Sequence, residues 1–146
     1  MPLISRLFLK TGLIWLIISM ILIAIRHMTS AGWIGGAETG LQVLFYHTLT
    51  VGWITQIIIG VSVWMFPRYS RENHRGPEAV WWTVYILLNL GLIIRALLET
   101  NGGYHGSPAL TAILIAGGWM KAIACILYAG MIWQRVRPAG AKNAKK

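Results

Sequence analysis

The chain has 146 residues, 56% of them hydrophobic and only 12% charged, and its mean hydropathy is +0.61. A water-soluble domain carries roughly a quarter of its residues charged, so this chain cannot cover a soluble surface and reads as an integral membrane protein. Its net charge of +9 does not signal nucleic-acid binding, because the basic residues lie in short blocks between apolar runs rather than in one patch or stripe.

Four apolar segments follow one another, at roughly 7–27, 41–66, 79–98 and 110–133. Each reaches the ~20 residues with which a helix crosses about 30 Å of hydrocarbon. Arg6 and Lys10 precede the first run and imitate a signal peptide; we read the segment as a signal-anchor-like first helix that ends at Arg26 and His27. Ser30 to Gly36 breaks the chain. The second segment carries the most distinctive stretch, His47-Thr48-Leu49-Thr50-Val51-Gly52-Trp53, continuing through Gln56 and Gly60 to Trp64-Met65-Phe66-Pro67-Arg68. Pro67 to Pro77 forms the next break, and Asn101-Gly102-Gly103 to Ser107-Pro108 the last. Each break is too short to be a domain. The expectation is an all-α, integral membrane four-helix unit over 1–137, followed by a basic tail over 138–146.

Orientation follows from lysine and arginine near the spans. Arg6 and Lys10 flank the first helix, Arg68, Arg71 and Arg75 fill the middle loop, and Arg135, Arg137, Lys142, Lys145 and Lys146 follow the last helix. The other two loops are poor in such residues. Both termini and the middle loop are therefore expected in the cytoplasm, next to anionic lipid, with the protein multi-pass in the cytoplasmic (inner) membrane. Trp33, Trp64, Trp81, Trp82 and Trp133 lie near predicted helix ends, where indoles form an interfacial belt.

A histidine inside a membrane-length helix is costly to bury alone and is a functional-site hypothesis by default. Neutral imidazole is also a common ligand for iron, copper and zinc. His47 is read as either a ligand or a hydrogen-bonded structural histidine. Thr48, Gly52, Gln56 and Gly60 recur every four residues, a small and polar stripe on which another helix can pack closely. His47 is one residue off that stripe and so points toward protein. His27 and His105, both expected on the outer side, are weaker candidate ligands, and His74 falls in the cytoplasmic loop. Arg95 either snorkels to the headgroups or pairs with an anionic group, a role Arg26 shares as second candidate.

Lys121 sits near the middle of the fourth helix, where a charge costs a few kcal/mol. Helical spacing puts Gly117, Lys121, Cys125 and Tyr128 on one face, with Asn89 and Tyr85 of the third helix as candidate partners. No carboxylate lies within a span, and Cys125 is the one cysteine, which excludes an internal disulfide and a covalent haem attachment motif. No nucleotide-binding or serine-hydrolase motif appears.

The stretch His47 to Arg68 resembles a helix of the haem–copper oxidase subunit I superfamily, and also of membrane proteins of nitric oxide response. The string Leu87-Leu88-Asn89-Leu90-Gly91-Leu92-Ile93-Ile94-Arg95 is similar to a helix of the same relatives. The resemblance implies one four-helix arc of a twelve-helix, pseudo-threefold architecture, with His47 at the place of a low-spin haem ligand. It further implies haem b, or copper as the alternative, held by His47, with His27, His105 or a second copy's His47 completing the set and Arg95 or Arg26 meeting a propionate. The family's paired His-x-His and its copper histidines are absent here, so one chain is not a complete oxidase. Two functions are carried forward: an electron-transfer or respiratory haem protein, and a metal-free assembly subunit. A homo-oligomer, with a trimer favoured by the pseudo-threefold relatives, or membership of a larger respiratory complex accompanies either.

Overall fold

The computed structural model describes residues 1–35, 38–67, 76–99, 107–133 and 135–136. The basic middle loop with Arg68, Arg71, His74 and Arg75, the loop with His105, and the tail beyond Val136 lie outside the described residues.

Helix α1 runs Leu3–Ser30, α2 Glu38–His47, α3 Gln56–Met65, α4 Glu78–Glu99 and α5 Pro108–Trp133. Between α2 and α3 the chain does not break: Thr48–Thr55 is a π-helical segment, so α2, π segment and α3 make one continuous second span. Among the described residues four helices are thus long and apolar enough to cross a membrane, the predicted number, and the chain is a multi-pass helical membrane protein. The first is longer than expected, 28 residues against the predicted run of 7–27, or about 42 Å at 1.5 Å per residue.

The breaks are made by the residues that signal them. At the end of α1, Gly32 adopts a left-handed φ of 75°, and the amides of Gly32 and Trp33 donate to the carbonyls of Thr29 and Met28. That is the glycine-terminated helix end which satisfies otherwise orphaned carbonyls. The second span stops where Phe66 turns extended, as a residue preceding proline must. Pro108 opens α5 with Ser107 as its cap, the Ser107 hydroxyl accepting from the Leu110 amide at 3.4 Å, the standard arrangement at a helix start.

The helices alternate in direction. Ile4 and Phe8 of α1, Ile59 and Val63 of α3, Trp81, Val84 and Leu88 of α4, and Ala124 of α5 form one buried cluster. It lies in the half of the bundle that holds the chain termini (the termini half; the other is the far half). Trp81, expected in the interfacial belt, is 1% exposed and belongs to this core, whereas Trp33, Trp64 and Trp133 are exposed as a belt requires. Arg135, expected among headgroup anchors, is 2% exposed. Its guanidinium donates to the carbonyls of Val63, Phe66 and Pro67, closing the end of the second span with the cation its unpaired carbonyls favour.

Packing divides the bundle into two pairs: α1 lies along the whole second span, and α4 lies along α5. Both pairs meet through glycine. A Cβ at Gly52 would stand 2.8 Å from the Trp15 side chain, and one at Gly60 would stand 3.0 Å from Phe8 Cβ. The stripe Thr48, Gly52, Gln56 and Gly60 is buried throughout its length, as its spacing predicted.

Candidate functional site

The polar side chains of the interior fall into two groups. The first is centred on Asn89. Its carboxamide oxygen accepts from Trp15 Nε1 at 3.0 Å and from Gln56 Nε2 at 3.0 Å, while its own amide donates to the Tyr85 carbonyl at 2.9 Å. The Tyr85 hydroxyl is 2.7 Å from Thr11 Oγ1. One asparagine therefore joins α1, the second span and α4 at mid-membrane, where a polar group lacking a partner is costly. Asn89 and Tyr85 were predicted to serve Lys121; they serve Trp15, Gln56 and Thr11 instead. Trp15 was missed as a site residue, although a tryptophan N–H this deep must find an acceptor.

The second group lies in the far half. His47 is the last residue before the π segment and is half-buried. Beside it, Ser19 Oγ donates to Thr48 Oγ1 at 3.0 Å, which pins α1 to the start of the π segment. Three threonine hydroxyls then engage carbonyls of the same span: Thr48 lies 3.0 Å from both the Leu44 and Phe45 oxygens, Thr50 2.7 Å from that of Tyr46, and Thr55 2.9 Å from that of Thr50. A wide i→i+5 turn needs such support, and π turns gather at functional sites. The Trp15 ring pressed against Gly52 fills the space beside this segment.

Arg95 Nε and an outer nitrogen donate to the two Glu99 oxygens at 2.8 and 3.1 Å, a bidentate pair within α4. Glu99 is 6% exposed and Lys121 8%. The Lys121 ammonium has no hydrogen-bond partner among the described residues. Lys121 faces Gly91, where a Cβ would stand 2.9 Å from Lys121 Cγ. Arg95 and Glu99 on α4 and Lys121 on the adjoining α5, with His47 on the second span, make up the polar group of the far half.

Other predicted residues stand apart from it. His27 is exposed and eight residues beyond Ser19, which meets Thr48; at 1.5 Å per residue it lies about 12 Å farther along α1. Cys125, predicted on the face of Lys121, is exposed, because Ala124 takes the buried position one turn from Lys121. Tyr128 is in the other half, donating to Ser62 Oγ at 3.1 Å. There it lines an apolar groove of about 530 Å³ with Ile57, Ile58, Val61, Met65 and Phe66. Arg26 is partly buried at the far end of α1, and His105 lies outside the described residues.

No group of three or more histidine, cysteine or acidic side chains is placed to hold a metal among the described residues. The sequence matches no protein-family model, and no curated protein or solved structure is significantly similar to it, so the function rests on the geometry of its own side chains.

Proposed function

We propose that this chain is a metal-free structural or assembly subunit of a membrane complex. The observation that carries this reading is how the interior polar groups are used. Arg95, which would meet a propionate, is forked onto Glu99, and Gln56, Trp15 and Tyr85 are committed to the Asn89 network. Such networks hold helices in one register, since each member would otherwise be an unsatisfied polar group in hydrocarbon. The partner is a second copy of the chain or another helical membrane subunit, docked along the apolar outer faces. A single chain already encloses Lys121, so the case for a partner rests on the half-buried His47 and on the trimeric arrangement the resemblance implies. We place both termini on the cytoplasmic side of the inner membrane, from the loop charges.

The test is isolation from membranes in a mild, non-dissociating detergent, with mass and absorbance measured together. The expected result is a particle larger than the 16.3 kDa chain with no Soret band. A monomer carrying stoichiometric haem overturns the reading.

A second reading keeps the resemblance to the oxidase superfamily and assigns His47 to haem b, or to copper, shared between copies in an electron-transfer role. It is favoured by the His47 imidazole, half-buried and without a hydrogen bond among the described residues. The described residues offer a single histidine at this depth, and the Arg95 fork is taken by Glu99, so the described residues of one chain do not form a closed haem site. A Soret band lost in His47→Ala, together with a mass of two or more chains, would establish this reading over the first.

A further inference from the structure

Helix α5 packs along α4, and among the described residues it meets the second span only through α3. There Tyr128 reaches Ser62, and Arg135 reaches the last carbonyls of the span. The apolar groove of about 530 Å³ lies on this face of α3. It begins at Ile57, next to Gln56 of the Asn89 network, and ends at Phe66, where the span ends. At 1.5 Å per residue that is about 14 Å, close to half of a ~30 Å hydrocarbon core. The groove therefore covers one leaflet, from mid-membrane to interface.

Its walls offer a polar ligand no donor. Tyr128 donates to Ser62 Oγ at 3.1 Å and Ser62 donates to the Ile59 carbonyl at 2.9 Å, so both hydroxyl hydrogens are committed. Nor do the walls suit a partner helix, because helices approach closely in a membrane over small residues. Apart from Ser62 the lining side chains are branched, long or aromatic, and Gly12, Gly52 and Gly60 are used between α1 and the second span. A hydrocarbon chain is thin and flexible enough to follow such a surface. It recovers the dispersion contacts that an unfilled groove forfeits.

The outer end of the groove is cationic. Arg135 holds its guanidinium 2.8 Å from the Phe66 carbonyl. The chain ends and the middle loop, which leave the bundle on this side, carry ten of the 13 lysines and arginines against two acids, Glu72 and Glu78. Basic segments beside a span attract anionic headgroups. We infer that the groove between α3 and α5 binds one anionic phospholipid, with an acyl chain along Ile57 to Met65 and its phosphate at the Arg135 end. Such a lipid extends the packed core of the termini half, and it does so with or without a partner subunit.

The experiment uses the full chain, delipidated in a mild detergent and titrated with phosphatidylglycerol or with phosphatidylcholine of identical acyl chains. Native mass spectrometry reads the bound lipid, and the thermal midpoint reads its linkage to stability. Wild type is expected to hold one phosphatidylglycerol ahead of any further lipid and to bind phosphatidylcholine several-fold more weakly. Its midpoint should rise saturably with phosphatidylglycerol. Val61→Trp, which fills the groove, should lose this first lipid. Ile58→Trp fills it from a more exposed position and decides the matter if Val61→Trp fails to fold. Ile86→Trp, on the exposed face of α4, should keep the lipid, and Arg135→Met should bind the two lipids equally. Equal and unsaturable uptake of both lipids by wild type overturns the proposal, since they then form an unspecific annulus. A first lipid that persists in both groove variants, or a headgroup preference unchanged in Arg135→Met, overturns it as well. So does a wild-type dimer that Val61→Trp dissociates, which would give the groove to a second copy of the chain.

Discussion

In the termini half, Phe8, Ile59, Val63, Trp81, Val84 and Leu88 interlock and Arg135 ties α5 to the end of the second span. The far half instead holds a π turn, a half-buried histidine, an ion pair and a lysine with no partner among the described residues. Between them, the Asn89 network is the boundary. The first half packs one apolar cluster beside the hydrogen-bonded Tyr128, Ser62 and Arg135, although the buried Ser5 hydroxyl has no partner among the described residues, and such packing is how a stable core is made. The second combines a π turn with a buried amine that has no partner among the described residues, and such departures concentrate where a protein acts. The contrast locates function in the far half, and it can be broken in four places.

The largest effect is all-or-none. With cysteine at Ser107 and at Ser70 in a Cys125→Ser background, an impermeant reagent added outside should label only the first. Labelling of Ser70→Cys alone would invert the bundle and put the histidine and lysine cluster in the cytoplasmic leaflet.

Next is Leu88→Ala. Leu88 is fully buried in the core, and truncation should cost about 2–5 kcal/mol, read as a lowered midpoint in detergent unfolding. If core truncation left stability unchanged, the assignment of the termini half as the stabilising half would fail.

Arg135→Met should cost about 1.5–3 kcal/mol, the range for hydrogen bonds to a charged group, since the carbonyls of Val63, Phe66 and Pro67 lose their donor. Arg135→Lys should recover only part of this, because one ammonium cannot reproduce the planar fork. A variant as stable as wild type would return Arg135 to the role of a headgroup anchor.

The last variant is Gly91→Ala. Overpacking costs about 1–3 kcal/mol, offset by the ~1 kcal/mol that alanine gains over glycine within a helix. The new methyl group would meet the Gly117 carbonyl oxygen at 2.7 Å as well as the Lys121 stem, so α4 and α5 must separate slightly to accommodate it. A loss well beyond about 3 kcal/mol in detergent unfolding would show that the Gly117 carbonyl and the Lys121 stem cannot yield to the methyl group.

Much of the architecture was legible in the sequence because a membrane imposes a length and a solvent on every span. Four apolar runs, three Gly- and Pro-marked breaks and a stripe at Thr48, Gly52, Gln56 and Gly60 follow from composition and spacing. The membrane-facing surface was legible less well. Trp81 carries the same interfacial signal as Trp64, and only its neighbours make it core. Arg135 reads as one more basic residue of a tail, and only the return of α5 to the end of α3 turns it into a cap. Helical spacing placed Cys125 and Lys121 on one face, but Ala124 packs into the core cluster as the buried neighbour and Cys125 is exposed.

The sequence by itself determined that this is a four-span helical membrane protein with a histidine and a lysine inside its spans, because apolar length and periodicity are local properties of the chain. Tertiary structure alone decided the π turn after His47, the commitment of Asn89 to Trp15 and Gln56 rather than to Lys121, and the closing of Arg95 onto Glu99. Hydrogen-bond register and the choice among competing partners depend on how closely two helices approach. At Gly52, Gly60 and Gly91 that distance is set by residues on the opposite helix, far away in sequence.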